Sequence, residues 1–205
     1  MHLSPQHQRI LLEAARDAIR RKLRGQPVAD EPAARPGDPS PDAILSQPAG
    51  CFVTLHSGRT HELRGCVGRL DACDPLLKAV RRSAVSVLSD PRFGERPVGL
   101  GELPELVLEI SVLSPLRPAP GPLAFDLLNE GVYLLWGDTR SGCFLPQVAR
   151  ETGWSKEQLL CRLCVEKLGL PPTAWQDARS KLLVFTTLVI GPEPFVPEIV
   201  ATSLP

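Results

Sequence analysis

Cys51-Phe52-Val53-Thr54-Leu55-His56, then Ser57-Gly58-Arg59, then a second β-prone run through Leu63-Arg64-Gly65-Cys66-Val67-Gly68 to Leu70 read as two strands joined by a turn. Strands joined so closely pair antiparallel, because a parallel partner needs a long crossover. Downstream, Asp74 and Pro75 supply an N-cap and first-turn pair, and Leu76/Leu77, Val80, Ala84 and Val87/Leu88 form a helical stripe ending at Asp90-Pro91. Residues 106–113 are apolar at nearly every position, as in a strand with at least one buried face. Upstream, Ser4 caps a helix over 4–24, with Pro5 at its first position, one apolar stripe, and Arg20, Arg21, Lys22 and Arg24 at the negative end of its dipole before Gly25. Short strands are expected at 132–136 and 143–145, a capping box at Ser155 and Gln158 opens a third helix ending at Gly169, and 181–190 is a final strand. Strands and helices interleave without a strict βαβ succession. The fold class that follows is α+β, an antiparallel or mixed sheet flanked by helices.

Six prolines between Gln26 and Gly50 resist both helix and sheet, so 26–50 is read as a surface linker within a domain spanning 1–190. Residues 191–205, rich in proline, are read as a disordered tail. With 43% hydrophobic and 22% charged residues among 205, the chain is not wholly disordered. The formal net charge is zero and aromatics are 5%, which argues against a nucleic-acid partner held by bulk charge and base stacking. No apolar run approaches the roughly 20 residues that span a bilayer, and no signal peptide opens the sequence, so the expected location is the cytoplasm and the six cysteines are expected to be thiols.

The chemistry-bearing stretch is 63–68, where two glycines flank a cysteine within a strand. On a period of two, Leu63 and Val67 face one way and Arg64, Cys66 and Gly68 the other, which puts a guanidinium and a thiol on one surface. A nearby cation favours thiolate, and Gly65 and Gly68 would let a ligand approach the backbone while Arg64 binds its anionic group. Cys66 is therefore the candidate nucleophile, with core packing as the alternative reading. His56, across the hairpin, is the candidate base, while His61 has the wrong parity. Cys161 and Cys164 form a C-x-x-C in mid-helix, away from the helix start that would activate a redox thiol, and no second cysteine pair completes a zinc site. Arg81, Arg82 and Arg92 could line an anion-binding surface, and Asp90-Pro91-Arg92-Phe93 reads as a turn docking an aromatic into the core. Neither metal nor cofactor is assigned, for no phosphate-loop or dinucleotide signature is present.

Leu63-Arg64-Gly65-Cys66-Val67-Gly68 resembles the motif of the AMMECR domain family, whose bacterial members are called AmmeMemoRadiSam system protein A; the motif normally has Ile where Val67 stands. The resemblance extends through Phe52-Val53-Thr54-Leu55, Ser89-Asp90-Pro91-Arg92-Phe93, Glu102-Leu103-Pro104, Leu108-Glu109-Ile110-Ser111-Val112-Leu113-Ser114-Pro115 and Phe144-Leu145-Pro146-Gln147-Val148, over roughly residues 3 to 190. It implies an α+β domain with a larger and a smaller lobe, and partners that are Memo-like and radical S-adenosylmethionine proteins of a modification system. The family motif maps onto Arg64, Gly65, Cys66 and Gly68. Relatives tend to carry a Tyr-Arg rich strand with a Glu-Lys pair where this chain has Leu182-Leu183-Val184-Phe185-Thr186-Thr187, so a function using those basic residues is not expected here. Two functional readings follow: an accessory or substrate-binding component, and a cysteine-dependent enzyme with Cys66 as nucleophile and Arg64 holding a small anionic ligand.

Overall fold

The computed structural model describes residues 2–28 and 43–196. The chain divides into two compact units, 1–112 with 189–205 and 113–188, in keeping with a larger and a smaller lobe.

Unit one contains α1 (Pro5–Leu23), β1 (Cys51–Ser57), β2 (Leu63–Arg69), α2 (Leu76–Ser86) and most of β3 (Leu106–Leu113). α1 starts as its sequence dictates, with Ser4 and His7 in a reciprocal capping box and Pro5 in the first turn. β1 pairs antiparallel with β2 and with β3, Val53 lying opposite Val67 on one side and Ile110 on the other. Directly paired residues share a face. Val53, Leu55, Leu108 and Ile110, each 0% exposed, thus form one face, and they belong to the same core as Leu11, Ala15, Leu76 and Val80 of the two helices. Phe52, Thr54, Cys66, Gly68, Glu109 and Ser111 occupy the opposite face.

Unit two holds β4 (Arg117–Pro118), β5 (Glu130–Trp136), β6 (Arg140–Phe144), α3 (Pro146–Thr152), α4 (Lys156–Leu168) and the first part of β7 (Ser180–Pro194). β5 pairs antiparallel with β6 and β7. α4 opens on the expected capping box, with Ser155 Oγ accepting from Gln158 N–H, and ends at Gly169 with φ +63°, a left-handed conformation cheap only for glycine. Leu159, Leu160, Leu163 and Cys164 bury its inner stripe. Cys164 is thus core and Cys161 half-buried, and all six cysteines are free thiols. Among the described residues no helix is long and apolar enough to cross a membrane.

The antiparallel strands and flanking helices bear out the α+β reading, and several local expectations need correction. α2 takes Pro75, not Asp74, as its cap residue and lacks a side-chain cap; the Asp74 carboxylate instead accepts from Arg82 at 2.6 Å. α3 is a helix the periodicity did not reveal, because seven residues span too few turns for a stripe. The proline-rich segment is not surface linker throughout: Leu45 is 3% and Ala49 4% exposed, and Pro48 bridges to Pro75. Its portion 29–42 lies outside the described residues. The tail expected from 191 remains in β7 to Pro194, and Phe195 is fully buried with its N–H donating to Leu106 O. Arg16, buried on α1, holds this end by donating to Glu193 and to Pro194 O at 2.7 Å. Residues 197–205 lie outside the described residues.

Replacing Ser155 by Ala removes one half of the capping box and should lower unfolding free energy by about 1 kcal/mol. Urea denaturation checks the total, and faster hydrogen exchange in the first turn of α4 checks the location.

Candidate functional site

Among the described residues the motif strand β2 has β1 as its one strand neighbour, so its outer backbone edge needs other partners. Thr54 pairs with Cys66 and Leu55 with Gly65, but His56 pairs with Leu63. Arg64 is therefore the extra residue of a β-bulge, and the strict two-residue alternation expected across 63–68 stops there.

Residues 87–93 run along the outer edge of β2. The Cys66 N–H donates to Asp90 Oδ2 at 2.9 Å, and Arg92 donates to the Cys66 carbonyl at 3.0 Å. Arg92 also forks onto Asp90, Nε to Oδ1 at 3.0 Å and a terminal nitrogen to Oδ2 at 2.6 Å. One carboxylate and one guanidinium thus supply the acceptor and donor that a further strand would have supplied. Burial pushes the Asp90 carboxyl up, but hydrogen bonds from Arg92 and from the Cys66 amide outweigh it and hold the group down to about 2.

Arg64 projects from the bulge into a second pair. Its Nε donates to Glu102 Oε1 at 2.5 Å and a terminal nitrogen to Oε2 at 3.0 Å, with a further bond to Arg96 O at 3.0 Å. Its side chain is 13% exposed. Phe93 is half-buried, not docked in the core as expected, and Arg64 and Arg92 both stack on it at 5.7 Å. The guanidinium expected to be open to an anionic ligand is already neutralised by a bidentate carboxylate.

The glycines are also accounted for by the protein itself. A Cβ on Gly65 would lie 2.8 Å from Val87 Cγ2 and 2.9 Å from Val87 O; one on Gly68 would run into Cys51 O and lie 2.6 Å from the Phe52 ring. The space expected for a ligand at these two positions is filled by Val87 and Phe52. Glycine is required there because protein packs within van der Waals reach of the backbone.

Cys66 is partly buried, and Thr54, its cross-strand neighbour, donates to its Sγ at 3.3 Å. Burial pushes the thiol up; the Thr54 hydrogen bond and the Arg92 charge oppose that, while Asp90 and Glu109 add to it, and the net shift is upward. The expected activation by Arg64 is absent because that cation is spent on Glu102. The histidines do not supply a base opposite the thiol. The bulge sets His56 against Leu63, two residues along β1 from Thr54, and His61 lies in the turn at φ +58°, outside both strands. Of the arginines read as an anion surface, Arg82 is paired with Asp74 and Arg92 with Asp90.

Thr54, Asp90 and Glu102 are the members that residue-type reasoning did not assign to the site. Their signal was weak: a β-branched residue in a strand and carboxylates in two turns carry no spacing that points to residues 12 to 38 positions away.

Comparison with known proteins gives one consistent answer. The sequence pattern of the AMMECR1 family matches residues 12–190. A protein from Methanothermobacter thermautotrophicus is 37% identical over 190 residues, covering 89% of this chain and 93% of its own length, and protein MJ0810 from Methanocaldococcus jannaschii is 37% identical over 149 residues, covering 69% and 72%. The crystal structure of the uncharacterized protein PH0010 from Pyrococcus horikoshii superposes with a TM-score of 0.75 at 34% identity, covering 87% of this chain and 88% of that one.

Because Asp90 sits near 2 when folded and near 4 when unfolded, its contribution to stability is full above about pH 4 and is lost as pH falls through 2. The difference corresponds to about 2 kcal/mol. Urea midpoints measured from pH 7 to pH 2 should fall less steeply for Asp90→Asn than for the wild type. Gly68→Ala, which forces a methyl against the β1 backbone, should cost roughly 1–3 kcal/mol or more; the same denaturation assay at pH 7 measures it.

Proposed function

The chain belongs to the AMMECR1 family, and from that premise we propose that it is an accessory or substrate-binding component of a multi-protein modification system, in which strand β2 and its Asp90–Arg92 border form a preformed docking surface. The proposed partners are a Memo-like protein and a radical S-adenosylmethionine protein, the companions implied by the resemblance of the 63–68 motif. What carries this reading over a cysteine-dependent reaction is the state of the two reactive groups. Arg64 is engaged in a bidentate ion pair, and the Cys66 thiol is pushed toward its protonated form.

A nucleophile needs thiolate at neutral pH and a base within reach. Here the Thr54 hydrogen bond to the sulfur favours thiolate, but burial outweighs it and the net shift of the thiol is upward. A docking surface has different needs: fixed backbone, charged groups held in place, and a strand edge closed against indiscriminate pairing. The Asp90–Arg92 border and the Arg64–Glu102 pair meet them.

The two readings separate by cysteine chemistry and by binding. Iodoacetamide labelling followed by mass spectrometry should modify Cys66 at pH 8 more slowly in the native protein than in urea. Cys66→Ser should keep affinity for the Memo-like and radical partners from the same organism within about twofold, whereas Glu102→Ala, which releases Arg64, should weaken it by about tenfold. Rapid native labelling with a midpoint below the ordinary thiol value of about 8.5 would overturn the docking reading and return Cys66 to the role of nucleophile.

A further inference from the structure

Helix α4 carries two stripes. Leu159, Leu160, Leu163 and Cys164 bury one of them in the core of unit two. Gln158, Cys161 and Val165, spaced by three and four residues, share a second face, and that face lines a groove of about 410 Å³ with Trp154 and Pro172 as further walls. Val165 is 48% exposed there, and the Cys161 thiol is free and half-buried. None of these residues belongs to the 63–68 motif, so the groove is independent of the docking surface at β2.

The charges beside this face are placed as in a helix–helix seam. On a heptad, Gln158 and Val165 take the a position, Cys161 the d position, Glu157 the g position and Arg162 the following e position. In a parallel pair of helices each g residue meets the next e residue of the other helix, and Glu157 and Arg162, five positions apart, carry opposite charges. An antiparallel pair would instead match g with g and e with e, which gives no attraction between these two residues. Both are exposed. Glu157 Oε2 accepts from Ser155 Oγ at 2.9 Å. Arg162 stacks over the Trp154 ring at 5.5 Å and lies 3.5 Å from Glu166, both side chains of that ion pair being open to solvent. Gln158, whose Oε1 accepts the Ser155 N–H at 2.9 Å, is a polar residue at an a position, a feature that fixes register at some cost in stability.

We propose that the groove on α4 is a self-association surface, in which a second copy of this chain lays its own α4 alongside in parallel about a two-fold axis. Val165 then meets Val165, Cys161 meets Cys161, and Glu157 of each copy pairs with Arg162 of the other, so the same patch serves both copies. α4 has 13 residues, about 20 Å of helix. That is a short seam beside the roughly 1,200–2,000 Å² of stable interfaces, so the dimer forms and dissociates with protein concentration.

Sedimentation velocity on the full chain over a concentration series tests the surface, and thiol cross-linking tests the register. The chain should pass from monomer to dimer at tens to hundreds of micromolar, roughly. Arg162→Glu, which sets two carboxylates across the seam, and Val165→Asp, which puts a charge at its centre, should each weaken the dimer at least about tenfold, while far-ultraviolet circular dichroism stays native because both positions are exposed. Glu157→Arg combined with Arg162→Glu restores opposite charges and should recover the affinity to within about threefold. In a Cys73→Ser background, which removes the exposed thiol, diamide should give a covalent dimer joined through Cys161 of both copies, identified by mass spectrometry of unreduced peptides and absent from Cys161→Ser. If the charge-swapped variant does not fold, the cross-link decides the register alone. A chain that stays monomeric up to about 1 mM, a dimer indifferent to Arg162→Glu and Val165→Asp, or a dimer that gives no Cys161 cross-link would each overturn the proposal.

Discussion

The outward amide and carbonyl of Cys66 must be satisfied although, among the described residues, no further strand lies beyond β2, and the surroundings of the motif are built on the way this is met. Asp90 and Arg92 take the place of the absent strand, and their mutual ion pair fixes both in position. A lone carboxylate at 3% side-chain exposure would be costly; with the Arg92 fork and the Cys66 amide it is compensated on every side. The same contact ties 87–93 to β2, which sets Val87 against Gly65 and Phe93 beneath Arg64.

Given that border, the composition of the motif follows. Gly65 has no room for a side chain because Val87 occupies the helix-side face, and Gly68 has none because Phe52 and the β1 backbone occupy the other. The bulge at Arg64 swings its side chain toward Glu102, where a two-pronged pair and the Arg96 carbonyl take up Nε and one terminal nitrogen. Cys66, partly buried beside Thr54, has its thiol pushed up by that burial. A motif that looks reactive when its residues are considered singly is, in its surroundings, tied by hydrogen bonds and an ion pair to Thr54, Asp90, Arg92 and Glu102.

Much of the fold was legible in the sequence. The helix cap at Ser4, the capping box at Ser155, the glycine that ends α4, the hairpin at 51–69 and the strand at 106–113 all follow from patterns whose causes act within a few residues. The candidate site was legible only as a location. Arg64, Gly65, Cys66 and Gly68 are found on one strand as expected, yet the partner that neutralises Arg64 lies 38 positions downstream and the one that holds the Cys66 amide lies 24 downstream. Likewise, the burial of Phe195 depends on β7 reaching past Gly191 beside β3, which the prolines of that segment argued against.

Local physics therefore determined the elements and the α+β class, since hydrophobic period, capping and turn chemistry are properties of contiguous residues. Tertiary structure alone decided whether the motif's charge and thiol are available. Availability depends on which distant groups share their hydrogen bonds and which neighbours exclude water, and no spacing along the chain encodes a pairing that the fold creates.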